Sequence, residues 1–154
     1  MATAAALTVS TNNLYMNPAE DRIKGSPCEI TLDWLSTDLG VVSIAIFATY
    51  NTAVAAGTSR YPNVSAIKGR ISKVETIPGT LGVPATNPPT NLYDITLLDA
   101  YGYDVMDGTL ADRSATVAEV VVFDSPINVN GELTLTIANA GNANNGRMII
   151  TLVE

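Results

Sequence analysis

The sequence predicts an all-β domain: a β-sandwich or barrel, jelly-roll-like, of about eight short strands with an extended N-terminal arm. Three observations predict it. Apolar and polar residues alternate over several short stretches, the period of a strand with one buried face. Gly, Pro, Asn and Asp punctuate the intervals between those stretches at turn spacing. Where a helix competes, as over residues 41–50, β-branched density favours the strand. The chain has 154 residues, which fits one domain able to bury about 70% of its unfolded surface.

Residues 1–18 are small and polar and are closed by Asn17-Pro18. Apart from Met1, their sizeable apolar side chains are Leu7, Leu14, Tyr15 and Met16, so the segment reads as an extended arm, with a loose tail or a first edge strand as the alternatives. Residues 19–154 then form a single β domain. Over residues 28–34, Cys28, Ile30, Leu32 and Trp34 share one face and Glu29, Thr31 and Asp33 the other, a half-buried strand. After Gly40, residues 41–50 carry apolar side chains on both faces and read as a central strand with one side partly wet, while residues 53–58 stay ambiguous between helix and strand.

Tyr61-Pro62-Asn63 marks a turn, and residues 64–77 read as extended with Lys68, Arg70, Lys73 and Glu75 facing water. Lys68 and Lys73 differ in parity, so this strand needs a bulge, for which Gly69 is the natural place. Residues 77–90 contain Pro78, Gly79, Gly82, Pro84, Pro88 and Pro89 and read as a Pro-rich loop or contact arm that breaks any ladder. Alternation returns over residues 92–98, with Tyr93, Ile95 and Leu97 on one face. Turns at residues 101–104 and 106–108 follow, then strands over residues 116–123, 127–130, 132–138 and 147–153, with Asn130-Gly131 as the clearest turn signal. No repeat of fixed period is visible.

Composition excludes several chemistries. There is no histidine and one cysteine, so Ser-His-Asp and Cys-His machinery, most zinc sites, an internal disulfide and a C-x-x-C pair cannot be assembled. A net charge of −7, from fifteen acidic against eight basic residues that are mostly dispersed, repels phosphate backbones and argues against nucleic acid. Residues 40–56 are too short and polar to span a bilayer, and the first ten residues lack the basic and apolar regions of a secretory signal, so neither a membrane nor export by that route is expected.

The remaining motifs read as structural. Asp99, Asp104, Asp107 and Asp112 crowd one loop and could line a calcium site, but their spacing is not that of an EF-hand, and bonding turn amides is the simpler role. Asp94 and Glu119 are the tempting positions for a pair of catalytic carboxylates, with nothing to pair them. Gly79-Thr-Leu-Gly82 lacks the lysine of a phosphate-binding loop, Asn63-Val64-Ser65 matches a glycosylation acceptor without a leader to give it meaning, and Cys28 has no basic neighbour and reads as core. The expectation is a protein that is not an enzyme and uses no cofactor or metal.

Five stretches, residues 91–100, 102–105, 108–114, 126–129 and 131–141, resemble small virion proteins of tailed bacteriophages. The similarity covers roughly the last 60 residues, Asn91 onward, and its motifs are structural. The resemblance implies a capsid decoration or cement protein, β-rich and often trimeric, made in the host cytoplasm and seated on the capsid exterior where major capsid subunits meet. Its partners would be the major capsid protein and copies of itself, and its contacts Leu7, Leu14, Tyr15 and Met16 of the arm with Leu81, Val83, Pro84 and Pro88 of the Pro-rich loop. Two other readings stay open: a tail or head-tail connector subunit, and a carbohydrate-binding β-sandwich using Tyr61, Tyr93, Tyr101 or Tyr103, of which Tyr93 is expected to point inward.

Overall fold

A computed structural model describes residues 2–12, 16–17, 22–23, 28–46, 67–79 and 87–153. Its strands, in chain order, are β1 (Ala6–Asn12), β2 (Met16–Asn17), β3 (Arg22–Ile23), β4 (Cys28–Leu35), β5 (Val42–Ala45), β6 (Ile67–Pro78), β7 (Asp94–Leu98), β8 (Glu119–Gly131), β9 (Thr134–Ala138) and β10 (Asn145–Val153). Apart from the two-residue ribbon β2-β3, eight strands form two antiparallel sheets, one of five strands in the order β1-β4-β10-β6-β8 and one of three in the order β5-β9-β7. The arrangement is sandwich-like, and no closed barrel is formed.

One core lies between the sheets because period-two alternation points every second side chain inward. The larger sheet contributes Leu7, Ile30, Leu32, Trp34, Ile71, Val74, Met148, Ile150 and Leu152, and the smaller Val42, Ile95, Leu97, Leu135 and Ile137. Trp34 of β4 and Tyr93, just before β7, meet across it with ring centroids 5.7 Å apart and planes tilted by 47°. β10 occupies the middle of the five-stranded sheet, which accounts for its almost unbroken burial.

Several expected features lie elsewhere in the fold. Residues 6–12, within the segment read as an extended arm with a first edge strand as an alternative, are the strand β1, paired along its length with β4 so that Leu7 falls opposite Trp34 and buries. Among the described residues β5 is an edge strand, not a central one, with Ser43 and the preceding Val41 exposed; residues 47–50 of the expected strand lie outside the described residues. The bulge in β6 sits at Ser72: Ile71 pairs with Leu152 and Lys73 with Thr151, leaving Ser72 unmatched, and its hydroxyl donates to the Thr151 carbonyl at 3.2 Å. Gly69 pairs regularly with Val129. The shift lets Ile71 and Val74, of opposite parity, both face the core.

The same irregularity spans β8. Of residues 116–123 and 127–130, expected as two strands, 119–123 and 127–130 belong to one that begins at Glu119, with Ile71 opposite Ile127 and Lys73 opposite Val122, so residues 123–126 bulge out opposite Ser72. Asn130 and Gly131, expected as a turn, are the last two residues of β8, paired with Lys68 and Ile67; the chain crosses from the larger sheet to the smaller after them, over residues 132–133, and β8 and β9 share no ladder. At the start of the Pro-rich segment the ladder runs on to Pro78, which pairs with Gly146 as the last residue of β6.

The end of the sandwich where β4 leads to β5 is closed by backbone contact. Buried Ser36 accepts from the Asn144 amide at 3.0 Å, and its hydroxyl lies 2.9 Å from the Gly141 carbonyl and 3.1 Å from that of Asn144. Gly40 follows at φ 74°, and its carbonyl accepts from the Ala140 amide at 3.0 Å.

Candidate interaction surface

The acidic residues are engaged in holding loops. Asp99 Oδ1 accepts from the amides of Tyr101 at 2.9 Å and Tyr103 at 3.0 Å, closing the first turn after β7. Asp104 accepts from Leu97 and Met106, each at 3.1 Å, and from Gly108 at 2.8 Å. These bonds fit the amide-bonding role of aspartate in turns, and Asp107 and Gly108 supply the left-handed conformations at φ 48° and 73°. Asp107 and Asp112 are exposed and bring no cage together: among the described residues, no three acidic or cysteine side chains converge.

Asp94 and Glu119 are likewise occupied. Asp94 receives the Asp112 amide at 3.0 Å and the Asn139 side-chain amide at 2.8 Å. Glu119 receives the Ser114 amide at 2.6 Å and lies 3.7 Å from Arg113. On the outer face of the larger sheet, Arg147 grips Asp33 through two hydrogen bonds of 2.6 and 2.9 Å, from a directly opposed pair on β10 and β4. The hydrogen bond to Asp33 raises the Arg147 guanidinium above its ordinary range, against a smaller lowering by burial.

Tyr93 points inward, fully buried, and among the described residues its hydroxyl has no hydrogen-bond partner of good geometry. Burial pushes its ionisation from 10.0 up to about 12; the Glu119 charge adds to the rise, and Arg113 and Thr76 oppose it. Between those values the folded chain keeps a proton that the unfolded chain has lost, so the contribution of Tyr93 to stability is whole below pH 10.0 and disappears as pH rises through about 12. Tyr93→Phe is expected to flatten this alkaline fall in stability, measured as denaturant midpoints across that window, and to remove one late phenolate step from the absorbance titration.

The structure brings together few of the residues expected to make contacts. Leu7 is 6% exposed and belongs to the core, so its apolar surface is already used within the chain. Pro88 is exposed and lies over Gly79, beside buried Pro89. Leu14, Tyr15, Leu81, Val83 and Pro84 lie outside the described residues, as do Tyr61, residues 53–58 and the Asn63-Val64-Ser65 triplet. Met16 is in β2 and Cys28 opens β4, but their side chains are outside the described part.

Besides the exposed Leu39, Val41 and Leu92, two groups of exposed apolar side chains stand out among the described residues. The turn after β7 presents Tyr101 and Tyr103 at 86% and 74% exposure. The second group lies on and just before β8: Val120 and Val122 of β8 are 54% and 68% exposed, and Val117, two residues before the strand, is 61% exposed. On the opposite side of β8, Val121, Phe123 and Ile127 are only partly buried against the core. A three-stranded sheet facing a five-stranded one leaves an outer strand incompletely covered. Residues 120–123 show the signal that could have marked this group, four consecutive apolar residues in place of alternation; such a run ordinarily indicates a strand buried on both faces.

No family model matches the chain, and no similar protein was found among the curated proteins or the solved structures.

Proposed function

We propose that this chain is a structural virion protein, a decoration or cement protein that binds the exterior of a phage capsid and stabilises the shell. The observation that carries the reading is the pair of exposed valines, Val120 and Val122, on an outer strand, with exposed Val117 just before it. Exposed apolar surface beside a free sheet edge favours association with other protein surfaces. The acidic side chains that catalysis would need are instead spent on turn amides and ion pairs. Adhesion in many copies needs no strong single contact, because weak contacts add once the copies are held on one shell. The partners are the major capsid protein and the chain itself, and a net charge of −7 suits an outer surface away from packaged DNA. The resemblance implies a trimer, whereas the strand edge argued below pairs in twos; oligomer mass decides between them.

The test is imaging of particles assembled with and without this chain. Density on the outer shell that disappears with the chain, together with rupture of the bare shells at lower temperature, is the expected result. Absence of the chain from purified particles overturns the proposal, and rings or tubes formed by the pure protein favour a tail or connector subunit.

A second reading, carbohydrate binding, is favoured by Tyr101 and Tyr103, which stand out from a rigidly bonded turn. The Tyr101→Ala, Tyr103→Ala double variant is expected to stay within roughly 0.5 kcal/mol of wild-type stability, since both rings are exposed. Glycan binding by the wild-type chain that this variant abolishes would replace the virion reading.

A further inference from the structure

We propose that β8 is a self-association edge, and that two copies of this chain join through residues 119–123 as antiparallel neighbours about a two-fold axis at Val121. The inference does not rest on the virion reading. β8 is the last strand of the five-stranded sheet, with β6 on one side and no strand among the described residues on the other. Natural edges are commonly guarded by lysine, proline or a bulge. In β8 those guards stand in the second half, where residues 123–126 leave the ladder and Pro126 lacks an amide hydrogen. The first half, from Glu119 to Phe123, has no proline, glycine or lysine.

The occupant is argued from charge and register. On the outer face Val120 lies opposite Glu75 of β6, and Val122 opposite Lys73. Antiparallel strands related by a two-fold axis normal to the sheet pair residues of the same parity, because paired side chains point to the same side. Centred on Val121, the pairing sets Val120 beside Val122 of the second copy and Glu119 beside Phe123. Each row of the joined sheet then runs Lys73, Val122, Val120 of the second copy and Glu75 of the second copy, with opposite charges at its ends. Centring on Val120 ends a row in two glutamates, and centring on Val122 ends one in two lysines. The row ends are three strand spacings apart, about 14 Å at the backbone, beyond the screening length of physiological salt. Burial of the valines and the new backbone hydrogen bonds therefore supply the affinity, and at low salt, where the screening length exceeds this distance, the opposite end charges favour the register centred on Val121.

Light scattering on the eluting protein and native mass spectrometry test this on the full chain. The wild-type chain is expected to give a concentration-dependent dimer whose amides at residues 119–123 exchange more slowly as concentration rises. Val122→Lys, at a 68% exposed position, is expected to keep the fold by circular dichroism and to raise the dimer Kd at least about tenfold. Lys73→Glu is expected to weaken the dimer at low salt, and the double reversal with Glu75→Lys to restore it. A wild-type chain that stays monomeric at its highest soluble concentration overturns the proposal, as does a dimer indifferent to Val122→Lys. A trimer broken by both Val122→Lys and Thr8→Lys also overturns it, since that result means head-to-tail pairing of β8 with β1 of the next copy.

Discussion

Replacing Trp34 with alanine is expected to lower stability by about 4 kcal/mol, read from urea or guanidinium unfolding. Trp34 is fully buried on β4, opposite Leu7 of β1 on one side and Gly146 of β10 on the other, and its ring meets Tyr93 across the core. Alanine there removes the largest side chain joining the two sheets and leaves a cavity that strands held by ladders on both sides cannot close. Among the described residues the indole Nε1 has no hydrogen-bond partner, so Trp34→Phe, which removes that buried donor along with some packing, is expected to cost less than about 1.5 kcal/mol. Gly146 provides the diagnostic partner. A methyl group on it would lie 2.5 Å from Trp34 Cζ2 and 2.9 Å from Cε2, so Gly146→Ala is expected to cost about 3 kcal/mol by overpacking. In a Trp34→Ala background the same substitution is expected to cost far less, and a strictly additive double variant would show that the ring does not set the need for glycine.

Gly40→Ala is expected to destabilise the chain by about 3 kcal/mol, from two effects that act at one residue. The backbone stands at φ 74°, where an L side chain is strained. The added methyl would also lie 2.6 Å from the Gly141 amide nitrogen and 3.2 Å from that of Ala140. Those atoms belong to a backbone fixed by the Ala140 amide bond to Gly40 and by the bonds of Ser36 to residues 141 and 144, so the clash cannot be relieved by a side-chain rotation. The loss should appear in the thermal midpoint and in faster hydrogen exchange at residues 140–144. If it appears in neither, this end of the sandwich is not sealed as the close approach implies.

Much of the fold was legible because strands with one buried face advertise themselves. Ile30, Leu32 and Trp34 alternate with Glu29, Thr31 and Asp33, and the first set is buried while the second is half exposed. Tyr93, Ile95 and Leu97 behave in the same way. The parity conflict between Lys68 and Lys73 demanded a bulge, and one exists, but its position at Ser72 depends on which residues of β10 and β8 lie alongside. The contact surface was less legible. Leu7 looks like any apolar residue of a polar arm until β1 pairs with β4, and residues 120–123 look like a buried strand until the sheet is counted and β8 is found last in it.

What the amino-acid sequence determined alone is the all-β class, the inward faces of most strands, turns near residues 101–104 and 106–108, and the exclusion of histidine-based chemistry and of an internal disulfide. These follow from local rules: side-chain alternation, the conformations open to glycine and aspartate, and the elements a reaction requires. Only the tertiary structure decided that the chain crosses between sheets after Gly131, that β1 and β8 are, among the described residues, the edges of a five-stranded sheet and that Val120 and Val122 of β8 remain exposed. A strand's edge status and the cover over its two faces belong to its neighbours, which residues distant in the chain supply, so no pattern within the strand can encode them.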